Sequence, residues 1–238
     1  MEHLHTPEAI SERLADGPSS SYLRDWVYGG VDGAVTTFAL VAGVVGARLS
    51  PRIIVILGLS NLVADGFAMA ASNYLATRSE HDELRSAEAV ERRHIDAVPE
   101  GERNEVREIF RGYGLSAELL ERVVQAVTAN RGQWVRIMLR EEYGLPALIR
   151  TPWRAAVSTF SAFVLCGFVP LVPFFAGLTH AFALTIGATA AVFGFIGALK
   201  SRWSILPRWR SALETVAVGG GAAAVAYVIG TWLRGISR

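Results

Sequence analysis

Two aspartates stand in stretches of the chain that hold no other charge: Asp32 within residues 26–47 and Asp65 within residues 53–77. A carboxylate in apolar surroundings needs a partner or a task. The polar residues around both keep helical spacing. Asn61, Asp65, Met69 and Asn73 recur every four residues, so on a helix they form one stripe. Asp25, Gly29, Asp32 and Thr36 share a face of the preceding segment by the same spacing. Carboxylate and amide oxygens suit hard divalent cations, and the Met69 thioether shifts preference toward iron and its first-row neighbours. Two such stripes facing one another would make a path for a metal ion. The alternative is structural: the aspartates hydrogen-bond a neighbouring helix, and Met69 is packing.

A second group of candidate ligands is acidic and lies outside these stretches. Glu88 and Glu91, Glu91 and His94, Glu102 and Glu105, and Glu105 and Glu108 are each three residues apart, which puts both members on one helix face. Glu91-x-x-His94 is the element that carboxylate-bridged di-iron bundles use in pairs; one chain supplies one, and a dimer would supply two. Met138 and Glu141, also three apart, would add a thioether and a carboxylate. Arginines interleave with nearly every glutamate, so a solvated charged surface is the competing reading.

The elements that must position these groups follow from where charge is missing. The 45 residues between Arg154 and Lys200 carry none, nor do residues 215–233. A hydrocarbon core needs roughly 20 apolar residues per helix, and it forces backbone polar groups to pair internally. The runs are continuous rather than alternating, which selects helices over a barrel. Five spans result, at about 26–48, 53–77, 155–176, 180–199 and 212–233, with Gly177, Thr179 and His180 turning between the third and fourth. Pro170 and Pro173 should kink span three, and Gly29, Gly33 and Gly219–Gly221 permit close helix approach. The fold class expected is all-α: a five-span helical membrane protein with a small helical cytoplasmic domain between spans two and three. The divisions are residues 1–20, a cytoplasmic N-terminal segment ended by Gly17-Pro18; 21–79, spans one and two; 80–150, the acidic helical domain; and 151–238, spans three to five.

The acidic domain holds 14 of the 22 acidic and 11 of the 23 basic residues. Its helices should break at Pro99 and Gly101, at Gly112 and Gly114, and at Gly144 and Pro146, with Ser116 as an N-cap. Short helices bury little core alone, so this domain is expected to pair with a copy of itself or lean on the membrane part. Lys200, Arg202, Arg208 and Arg210, with the eleven arginines of 80–150, place those segments and the N-terminus in the cytoplasm and the C-terminus outside. A formal net charge of +1 implies no nucleic acid partner, and the single Cys166 excludes an intrachain disulfide.

The stretches YLRDWVYGGVDGAVTTFALVAGVVGA and GLSNLVADGFAMAASNYLATRSE resemble the first two spans of the vacuolar iron transporter family, which also holds manganese transporters and nodulin-like members. The similarity continues through WVRIMLREEYGL, GFVPLVPFF and GGGAAAVAYVIG, covering residues 21 to 233. It implies a homodimer in a lipid bilayer that exports Fe²⁺ or Mn²⁺ from the cytoplasm in exchange for protons, a transporter rather than an enzyme. No cofactor is expected to be permanently bound, with Zn²⁺ a further ligand for the cytoplasmic domain. The resemblance assigns the path to Asp32 and Met69, with Asn61 at a polar or acidic position. It assigns the cytoplasmic metal site to Glu91, His94, Glu102, Glu105, Met138 and Glu141, with His94 where glutamate is usual and Ile137 where a methionine can occur. The acidic domain would collect the ion and pass it to the dimer axis. The membrane expected is a bacterial inner membrane or that of an organelle. A membrane-anchored di-iron oxidase and a metal sensor are the rival readings; neither gives Asp32 or Asp65 a role.

Overall fold

The computed structural model describes residues 5–16, 20–146, 150–201 and 207–236. The Gly17-Pro18 break, Arg202 and Arg238 lie outside the described residues. All regular structure among the described residues is helical. The elements are α1 (Pro7–Asp16), α2 (Leu23–Gly46), α3 (Pro51–Ala97), α4 (Pro99–Gly112), α5 (Ala117–Thr128), α6 (Arg131–Glu141), α7 (Pro152–Phe168), a 3₁₀ turn (Val169–Leu171), α8 (Val172–Phe175), α9 (Ala181–Lys200) and α10 (Arg208–Ile236). Five stretches are long and apolar enough to cross a membrane: α2, α3, α7 through α8, α9 and α10. This is a multi-pass helical membrane protein.

The chain forms two compact units, one of residues 21–75 with 150–238, the other of residues 1–20 with 76–149. Helix α3 belongs to both. Its 47 residues hold no proline after Pro51, so nothing interrupts the hydrogen-bond ladder where the composition turns from apolar to charged. It ends at Ala97 because the residue before a proline is driven out of the helical region, and Pro99 then opens α4 where no amide partner is required.

In the membrane unit α2 is the central element, packing against α7, α9 and α10. Its contact with α7 is backbone to backbone: a Cβ on Gly29 would land on the carbonyl of Thr159, and one on Gly33 on that of Phe163. Two apolar clusters flank this seam, one around Phe38, Phe193 and Ile196, the other around Ile54, Leu62, Phe163 and Leu171. The expected kink in span three is a break into the 3₁₀ turn at Pro170, with Pro173 opening α8. The freed Pro170 carbonyl accepts from Thr185 Oγ1 of α9 at 2.9 Å.

The other unit has a core of its own. Ala87 and Ile95 of α3, Val106 of α4, Leu120 and Val124 of α5, and Trp134, Val135, Met138 and Leu139 of α6 are buried together. The expectation that these helices bury little by themselves is corrected: the amphipathic faces of α4 and α5 close on the otherwise solvated end of α3. Asn130 caps α6, its Oδ1 accepting from the Gln133 amide at 3.0 Å. Ser116 precedes α5 as foreseen but makes no side-chain cap bond.

The α2–α7 seam gives a direct test. Gly33→Ala should cost ~1–3 kcal/mol by overpacking backbone. Gly220→Ala, on a face of α10 with nothing within 4 Å, should cost nothing. Thermal unfolding in detergent should show a lower midpoint for the first variant alone; equal midpoints would mean that the seam is not as close as described.

Candidate functional site

Asp32 sits half-buried in α2, and Asp65 is exposed on α3, close enough for the two carboxylates to interact electrostatically. Neither forms an ion pair among the described residues. Thr36 Oγ1, one turn on from Asp32, donates to its backbone carbonyl at 2.7 Å, leaving the carboxylate to other uses. Met69 is partly buried against the Phe163–Leu62 cluster, and Asn61 is half-buried one turn before Asp65.

Asp25 and Asn73 do something different. Asp25 is 4% exposed and pairs with Arg150, the residue that leads into α7. Asn73 Nδ2 donates to Asp25 Oδ1 at 3.0 Å and to Thr159 Oγ1 at 2.7 Å. The group ties the first turn of α2, the middle of α3 and the start of α7 together, and Tyr22 adds its hydroxyl as acceptor for the Thr151 amide at 3.0 Å. Asp25, expected among the path residues, is thus already engaged by Arg150 and Asn73. Its charge is already compensated by Arg150, and the α3 stripe divides, with Asn73 given to structure and Asn61, Asp65 and Met69 left over.

The acidic group in the other unit is gathered by α3, α4 and α6. Glu91 is 1% exposed, Glu102 is 5% exposed and Met138 is fully buried. Tyr143 donates its hydroxyl to Glu91 Oε1 at 3.0 Å, while Glu91 Oε2 and Glu102 Oε2 are buried with no hydrogen-bond partner among the described residues. His94 is largely exposed, its Nδ1 3.5 Å from Glu102 Oε1. Met138, Glu105 and Glu142 line one cavity of about 380 Å³ with Asn104, Glu108 and Ile109.

Charge repulsion marks this group. Burial first, then the charges of Glu91, Glu105 and Glu142, push the Glu102 carboxyl up to about 7. Burial, with Glu91 and Glu105, raises Glu142 as well, against a smaller opposing effect of His94. Burial and the bond to Glu91 push the Tyr143 hydroxyl up to about 12, so it stays a donor at neutral pH. Four carboxylates held this close demand a compensating cation or protons. As folded, no group of three or more His, Cys, Asp and Glu among the described residues is tight enough to hold a metal ion.

Glu141 is not part of this gathering. It accepts from the Tyr113 hydroxyl at 2.6 Å and from Arg140 Nε at 2.6 Å, and these bonds lower its carboxyl below the usual range. Its neighbour Glu142 instead lies beside Met138 and Glu105. Spacings of three and four from Met138 face the same way on a helix, so the sequence does not separate the two residues. The local claim of Tyr113 and Arg140 on Glu141 does. Tyr143 carried no sequence signal at all.

A model of the VIT family matches residues 23–231, almost the whole chain. The chain belongs to the VIT family. It is 35% identical over 214 residues to a protein named vacuolar iron transporter 1 from Arabidopsis thaliana, covering 87% of this chain and 84% of that one. A rice protein of the same name is 33% identical, with 88% and 84% covered. A vacuolar iron transporter from Toxoplasma gondii is 32% identical, with 91% and 76% covered. The match to the VIT family spans residues of both units.

The raised Glu102 carboxyl makes a signed prediction. The folded state holds that proton more tightly than the unfolded chain does, so the stabilisation is complete below about 4.5 and is lost as pH rises through about 7. In chelator, the wild type should lose stability between pH 5 and 8 relative to Glu102→Gln, at about 1.4 kcal/mol per unit of pKa difference. Parallel pH profiles in chemical denaturation would show that Glu102 is not crowded in the folded protein.

Proposed function

We propose that this protein moves divalent iron or manganese out of the cytoplasm in exchange for protons, as a homodimer, for metal homeostasis and detoxification. The observation that carries the reading is the pair Asp32 and Asp65, two carboxylates in membrane spans with no ion-pair partner among the described residues. Each costs at least ~2.5 kcal/mol at mid-membrane, which an inert anchor has no reason to carry. Family membership supports metal transport, and the names of the relatives support iron as the ion. Asp32 would bind metal and proton in alternation, because protonation abolishes the charge that holds the cation. Met69 would contribute its sulfur, and Asn61 and Asp65 oxygen.

Pairing of two chains is supported by the exposure of α3. Its membrane stretch leaves Asp65 exposed among apolar side chains such as Leu57 and Leu75. Lipid covers the apolar side chains but not the carboxylate, whereas a second α3 would give it a protein-lined, wettable surround. The residues from 80 to 150 would act as the cytoplasmic collector. Glu91, Glu102, Glu105 and Glu142 would bind the ion with Met138 and His94, and Tyr143 would fix the Glu91 carboxylate. Zn²⁺ suits the same donors, since histidine and carboxylate serve it as well as Fe²⁺ or Mn²⁺. The N-terminus is assigned to the cytoplasm, in a bacterial inner membrane or an organelle.

Asp32→Asn should abolish metal flux in proteoliposomes while leaving the folded oligomer intact by size-exclusion chromatography. Flux at the wild-type rate would remove Asp32 from the mechanism. Met69→Leu conserves volume and should slow Fe²⁺ more than Mn²⁺; equal rates for the two ions would make Met69 packing. For the collector, Glu142→Ala should weaken Fe²⁺ or Zn²⁺ binding by calorimetry on the full chain, about tenfold or more, and Glu141→Ala should change it little. The reverse ranking would restore Glu141 as the ligand.

A further inference from the structure

A cavity of about 490 Å³ lies between the α2–α3 turn and the α8–α9 turn, away from every residue assigned to metal. Crossing with α2 and returning with α3, then crossing with α7 and α8 and returning with α9, brings both turns to the same membrane face. The floor is apolar, made by Ile54, Pro173, Phe174 and Phe182. Phe182 is fixed there by stacking on Tyr227 of α10, with ring centroids 6.3 Å apart. The rim is basic: Arg48 comes from one turn and His180 from the other, both exposed. No described ion pair uses either side chain.

The backbone singles out the same two residues. Arg48 and His180 have φ of 58° and 61°, and only Ala117 shares that left-handed conformation among the described non-glycine residues. Such positions cost on the order of 1–3 kcal/mol and persist where the surroundings determine them. Here they hold a guanidinium and an imidazole over one apolar hollow.

We propose that this cavity binds an anionic phospholipid, with its phosphate between Arg48 and His180 and the upper part of an acyl chain on the Phe174–Phe182 floor. A guanidinium offers paired N–H donors to phosphate oxygens, and an imidazole keeps at least one N–H whatever its charge. The combination of a cationic rim and an apolar floor at the membrane boundary fits an amphiphile; a free anion would use the rim alone. The proposal needs only the membrane placement of the helices and stands apart from the metal reading.

The test is native mass spectrometry of the full chain, released from nanodiscs containing equal amounts of phosphatidylglycerol and phosphatidylcholine. Asparagine tolerates the left-handed conformation, so Arg48→Asn with His180→Asn removes the guanidinium and the imidazole, leaving shorter, neutral amides, without adding backbone strain. The wild type should retain phosphatidylglycerol over phosphatidylcholine, and the double variant should retain it about tenfold less, as loss of charged hydrogen bonds implies. Should the double variant fail to fold, His180→Asn alone should still lower the retention. Equal retention of both lipids by the wild type, or undiminished phosphatidylglycerol on a folded variant, would overturn the proposal. Displacement of the lipid by inorganic phosphate would also overturn it, by assigning the two basic groups to a free anion.

Discussion

Removing a carboxylate from water into hydrocarbon costs at least ~2.5 kcal/mol, and each membrane aspartate answers that cost in its own way. Asp25 is neutralised by Arg150 and held by Asn73, and the result is structural: three helices are pinned at one level. Asp32 and Asp65 have no such counter-ion among the described residues, and the charge of Asp65 adds to the burial that Asp32 already bears. Two like charges with no cation between them form an arrangement that a divalent ion would relieve. The close α2–α7 seam, set by Gly29 and Gly33, fixes the depth at which Asp32 is offered.

The same logic governs the second unit at higher dielectric. Glu91 and Glu102 are almost fully buried within reach of one another, and Glu105 and Glu142 crowd them. A buried acidic cluster is costly unless something positive enters it. At neutral pH a proton on Glu102 supplies part of that relief. A metal ion displacing it, as proposed, would supply more and would release that proton. Tyr143 remains a donor and holds one oxygen of Glu91, leaving the other free to turn toward an ion.

Much of this was legible in the sequence, because it rests on composition and period. Spans appear as runs without charge, and the Pro170 break and the 177–180 turn are local chemistry. That Asp32 and Asp65 each belong to a polar stripe of their own helix followed from helical spacing. What spacing could not supply was the identity of partners distant in the chain. Asp25 and Asp32 share a face of α2, yet Arg150, 125 residues away, separates their roles. Glu141 and Glu142 face Met138 equally well, and Tyr113, 28 residues earlier, decides between them. The core of the 76–149 unit was also hidden, since it depends on α4, α5 and α6 folding back onto the charged end of α3.

The central claim is that metal crosses the membrane against protons, and simultaneous recording of both ions addresses it most directly. The full chain is reconstituted in liposomes loaded with a pH dye and a metal-quenched dye, with Fe²⁺ or Mn²⁺ added outside. The account predicts metal entry matched by loss of luminal protons, accelerated by an acidic lumen and absent from protein-free liposomes. Metal entry that ignores the pH gradient and moves no protons would contradict the exchange, and no entry through folded, metal-binding protein would contradict transport itself.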